Sequence, residues 1–158
     1  MLRALAVVLV IIGGVAAAVF GPKWLMSVTD PEPESREVCE LDRGPCQWKM
    51  NGVTWVAELE RGGIGNQGRE YRLRLHTGAG TDRLVAVLRG ESMYLGEYPV
   101  PLSETGSDGG IAIWQARFTA PFCTVDPDMT WRIDLQQGSR PMDQLPVKMM
   151  FQADNQAG

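Results

Sequence analysis

Residues 110–135 read GIAIWQARFTAPFCTVDPDMTWRIDL, two alternating segments on either side of a Pro/Asp-rich break. In the first, Ala112, Trp114, Ala116 and Phe118 fall on one face; in the second, Met129, Trp131, Ile133 and Leu135 do. Alternation with period 2 is the mark of a half-buried β-strand. Pro121, Asp126, Pro127 and Asp128 supply turn chemistry between them. The stretch reads as the closing hairpin of a β-sandwich, with Cys123 at its tip.

The same grammar extends upstream. Val53, Trp55, Ala57 and Leu59 alternate, RGGIGNQGR (61–69) forms a glycine-rich connection, and Tyr71, Leu73 and Leu75 oppose Arg72, Arg74 and His76. A turn at Gly78-Ala79-Gly80 leads into 83–89, whose LVAV centre is apolar on both faces and predicts a more buried strand. Met93–Tyr98 reads as a short strand ended by Pro99 and Pro101. Ser107–Gly110 and Gly138–Pro141 are turns, and Val147–Phe151 is the last strand. Short strands at regular spacing predict an all-β fold: an immunoglobulin-like antiparallel β-sandwich of seven or eight strands over residues 39–153, with 154–158 a frayed tail. Trp55, Trp114, Trp131 and Phe118 are assigned to its core.

Ahead of this domain, the 17 residues from Ala4 to Phe20 carry no charged or polar side chain. The run is short for a membrane span and also fits a signal-peptide core. Ala16-Ala17-Ala18 offers a cleavage site, whereas Gly21-Pro22-Lys23-Trp24 ends the run as a retained anchor does. Residues 1–20 are therefore expected to be one N-terminal transmembrane or signal helix. Residues 21–38, with Pro22, Pro31 and Pro33 among acidic side chains, are expected to be an extended linker. Either alternative exports the domain: a single-pass protein of the bacterial inner membrane with its C-terminal domain in the periplasm, or a periplasmic protein after cleavage. A net charge of −4 without a basic stripe argues against nucleic acid as a partner.

Three cysteines, Cys39, Cys46 and Cys123, stand in this exported domain. An oxidising compartment pairs two of them and leaves one thiol over; the spacing does not decide which. If strands simply reverse one after another, Cys39, Cys46, Met93, Cys123 and Met129 gather at one pole, the pole where the linker arrives, and His76 lies at the other. Thiolate and thioether donors are soft and select Cu(I), which makes Cys123, Met93 and Met129 a candidate copper site. The alternative is a structural disulfide with the methionines as core filler.

Catalytic readings find little support. His76 is the one histidine and lies on a polar strand face, no nucleophile elbow is present, and Asp126 and Asp128 are turn residues. GGIGNQG precedes a strand rather than a helix, so it is no phosphate cradle. The domain is expected not to be an enzyme.

CELDRGPC (39–46), MYLGEYPVPL (93–102) and the W-x-A-x-F-x-x-P-x-C…M-x-W-x-I-x-L ending (114–135) resemble a group of small proteobacterial envelope proteins. More distantly, the anchor followed by a single sandwich looks like the FixH/YtkA-like families. That resemblance implies a one-span protein with a periplasmic immunoglobulin-like domain, associated with assembly of copper-containing terminal oxidases. The expected function is a membrane-tethered periplasmic accessory or interaction module, handling copper through its Cys/Met pole. The alternative is a structural or partner-binding envelope domain with a disulfide, no metal, and another envelope protein as partner.

Overall fold

The computed structural model describes residues 36–65, 68–120 and 129–153. Among them every regular element is a strand: β1 (Glu37–Glu40), β2 (Cys46–Met50), β3 (Val53–Gly65), β4 (Gly68–Gly78), β5 (Leu84–Gly90), β6 (Glu97–Pro101), β7 (Ser103–Asp108), β8 (Ile111–Thr119), β9 (Thr130–Gln137), β10 (Arg140–Pro141) and β11 (Val147–Gln152). Among the described residues no helix is long and apolar enough to cross a membrane. The apolar run 4–20, most of the linker and the tail 154–158 lie outside them.

Two sheets form. One has the order β1-β11-β9-β5-β6, with β10 attached to β9; the other is β2-β3-β4-β8-β7. Only the β1–β11 pair is parallel among these pairings. Side chains from both sheets meet in one apolar core. Tyr71 of β4 lies 5.2 Å from Phe151 of β11, and Phe118 of β8 meets the same ring edge-on at 6.0 Å. Trp55, Trp114 and Trp131 are buried, and Phe118 is half-buried against that core.

The chain changes sheets at both lateral edges. On one side β1 passes to β2 through Leu41–Pro45, and a Cys39–Cys46 disulfide joins the two edge strands. On the other side β6 passes to β7 through the single buried residue Leu102, whose N–H donates to the Leu84 carbonyl. Edges that might otherwise pair with another chain are thus tied to each other.

Several expectations need correction. Residues 110–135 are not a hairpin: β8 pairs with β4 and β7, whereas β9 pairs with β5 and β11, so the stretch crosses between sheets. Inward alternation is the same for both arrangements. The Ala120–Met129 interval, longer than ordinary hairpin loops of about 2–5 residues, was the signal for a crossing. Among the described residues eleven strands replace the seven or eight expected. β7 was missed because SETGSD is exposed throughout and has no apolar rhythm. Pro99 lies inside β6 and only Pro101 ends it, Pro99 being tolerated because β6 has one neighbour only. The glycines at 62–65 continue β3, with a bulge between Arg61 and Ile64. Ordered strand begins at Glu37, ahead of the expected boundary at Cys39.

Candidate functional site

One end of the fold is built from the last residues of β5, β8 and β11 and the first of β9. There Gly90 pairs with Trp131, Gln152 with Thr130, and Thr119 with Glu70. The connection holding Cys123 spans from Ala120 to Met129, and both of these residues are buried. Cys123 itself lies outside the described residues. The Met129 methyl group is pressed onto Gly90 so closely that a Cβ there would collide with it and with the Met93 carbonyl oxygen. Met93 and Met129 are therefore neighbours, but of different kinds: Met129 is fully buried, whereas Met93 is 44% exposed.

Cys39 and Cys46 are bonded to each other, with an S–S distance of 2.04 Å, so neither offers a thiolate. They also sit at the side of the fold rather than its tip. Cys46 is level with Ala57, Leu75 and Trp114, and Thr119 lies five residues farther along β8, roughly 16 Å at about 3.3 Å per residue. The described chain begins at the opposite end. Arg36 donates to the Asp143 carbonyl at 2.9 Å and the Glu37 N–H to that of Pro146. The expectation that the Cys/Met pole is where the linker arrives fails because β1 is an additional strand ahead of Cys46. It starts beside Val147, at the far end, and runs toward that pole.

Sequence reasoning overlooked what surrounds Met93. Of the six large apolar side chains exposed among the described residues, three fall between positions 93 and 98. Tyr94 is 74% exposed and Tyr98 37%. Tyr98 is held in place: its hydroxyl donates to the Leu95 carbonyl at 3.1 Å, and its ring stands edge-on to Trp131 at 5.7 Å. Pro99 and Pro101 continue the exposed surface along β6. The available signal was MYLGEYP, whose aromatic and apolar residues do not alternate as a buried strand would.

Charges beside this segment are already paired. Arg89 bridges Glu97 at 2.8 Å and Asp134 at 3.5 Å, Arg132 bridges Asp134 at 3.1 Å, and Lys148 pairs with Glu91. The ladder links β6, β5, β9 and β11 across the outer face and takes up Glu97, the one charge of the aromatic segment.

His76 is half-buried on the outer face of the other sheet, between Val56 and Ile113. Among the described residues no group of three or more His, Cys, Asp or Glu side chains is placed to hold a metal ion.

At the end where the described residues begin, a cleft of ≈ 560 Å³ opens between the sheets. Its apolar floor includes Met50, Val53, Trp55, Met142 and Leu145.

No family model and no curated protein matches this chain. Among solved structures it is similar to a cyclomaltodextrinase, with a TM-score of 0.41 and 16% sequence identity, over 61% of this chain. The match spans 19% of that protein's length.

Proposed function

We propose that the chain is a membrane-tethered periplasmic accessory module with an immunoglobulin-like sandwich fold, which docks another envelope protein without catalysing a reaction. The observation that carries this reading is the exposed segment from Met93 to Pro99, with Tyr94 standing in solvent and Tyr98 fixed against Trp131. Tyrosines and methionines are enriched at protein interfaces, and a ring held by its own fold loses little entropy on binding. The segment lies at the end of the sandwich away from Arg36. Resemblance to the FixH/YtkA-like families supports the membrane-tethered topology. Whether the anchor is retained is decided by the N-terminal sequence of the protein recovered from membranes.

The test is co-purification from detergent-solubilised native membranes. A Tyr94→Ser, Tyr98→Ser double variant that keeps its thermal transition should lose its partner. Retention of the partner by that variant would sink the proposal.

Copper handling is the second reading, favoured by the Met93 backbone carbonyl lying beside the Met129 methyl group at Gly90. Met93, Cys123 and Met129 would be the soft donors. The full chain, with its Cys39–Cys46 disulfide intact, should compete for Cu(I) against a chelator at sub-micromolar free metal, and Met93→Ser should weaken it. Binding no tighter than micromolar rules this reading out.

A further inference from the structure

The cleft at the opposite end is a preformed site. Three tight connections make its rim. Asn51 and Gly52, both at positive φ (52° and 79°), close β2 onto β3 in a type I′ turn. The 78–81 turn is held by Ala79 N–H on the Gly110 carbonyl and by the Thr81 hydroxyl on the Gly78 carbonyl. The connection from β10 to β11 is held by Met142 N–H on the Leu135 carbonyl and Leu145 N–H on the Met142 carbonyl. A rim that is already hydrogen-bonded needs no ordering when a ligand arrives. The volume, ≈ 560 Å³, falls within the range of about 300–1,000 Å³ typical of ligand pockets.

The lining selects the chemistry. It contains no Lys, Arg or His, and Asp143 is its one ionisable residue; Arg36, at its edge, is engaged with the Asp143 carbonyl at 2.9 Å, so the lining itself offers an anion no cation. Its polar side chains include three carboxamides, Asn51, Gln137 and Gln144, each able both to donate and to accept. That pairing suits neutral amides. The floor holds two methionines, which adapt to irregular apolar shapes, while Trp55 is too deeply buried to serve as a flat stacking platform for a sugar ring. We infer that this cleft binds an uncharged internal peptide segment of a partner protein, one apolar side chain on the methionine floor and its flanking amides on the carboxamides. The site is independent of the Met93–Pro99 surface.

The probe is N-acetyl-leucine amide, titrated into the ¹⁵N-labelled full chain in detergent micelles and followed by amide chemical shifts. Millimolar binding is expected for so small a ligand. Shifts should centre on Asn51, Gly80 and Gln144. N-acetyl-leucine, which adds a carboxylate, should bind at least about tenfold more weakly. Met142→Ala and Gln144→Ala, each checked for an unchanged fold by its distant amide shifts, should each weaken the probe by roughly three- to tenfold. The inference is overturned if those amides do not move. It is equally overturned if N-acetyl-leucine or methyl glucoside binds as tightly as the amide, or if both folded variants bind unchanged.

Discussion

Gly90 shows how one missing side chain shapes the candidate site. Its position is shared by the Met129 methyl group and the Met93 carbonyl, so any Cβ must push backbone as well as a flexible side chain. Gly90→Ala should cost about 1–3 kcal/mol, the usual penalty for overpacking a closed site, read as a lower denaturation midpoint in urea. An unchanged midpoint would mean that Met129 is not seated as described. The tryptophans make a second case. Trp131 is fully buried, yet its indole N–H finds no hydrogen-bond partner among the described residues. Truncation to Ala should cost about 3–5 kcal/mol through the cavity it leaves. Trp131→Phe removes the unpartnered donor while keeping most of the volume, so it should cost about 1 kcal/mol or less. Comparable losses for the two variants would show that the N–H is bonded after all.

The elements divide into those the sequence declares and those it hides. β4, β8 and β9 were legible because Leu73, Trp114 and Ile133 alternate with polar neighbours, and burial follows that rhythm. β7 was hidden because an exposed edge strand has no apolar face to mark it. Which sheet a strand joins was also hidden, since β8 and β9 would show the same pattern as hairpin partners or as members of facing sheets. The unexpected β1 carried a further cost: one more strand ahead of β2 moves the incoming chain to the end opposite the one the direction count gave it. At the candidate site, the methionines were legible as a pair, whereas Tyr94 lies in the connection between β5 and β6, where no alternation marks a side chain as exposed. The disulfide was one of several pairings open in the sequence, and it proves to join β1 to β2 across the two sheets. Cys39→Ser with Cys46→Ser should lose about 2–3 kcal/mol, a fall of roughly 8–20 °C in Tm. With three cysteines in the chain and two bonded, denatured unreduced protein should titrate one thiol and reduced protein three. Three thiols without reduction would remove the clip from the fold.

For the whole molecule, the two ends of the fold have different characters. One carries exposed aromatic and methionine side chains bordered by paired charges; the other receives the chain at Arg36 and holds the neutral cleft. Docking at the first end is the central claim, and site-specific photocrosslinking in native membranes tests it most directly. A photoreactive residue at position 94 should give a discrete adduct of one added protein, which disappears when Met93 and Tyr98 are both changed to Ser in protein that still folds. The same residue at position 47, exposed on the outer face of the other sheet, should give none. No adduct from position 94, or equal adducts from 94 and 47, would contradict the account.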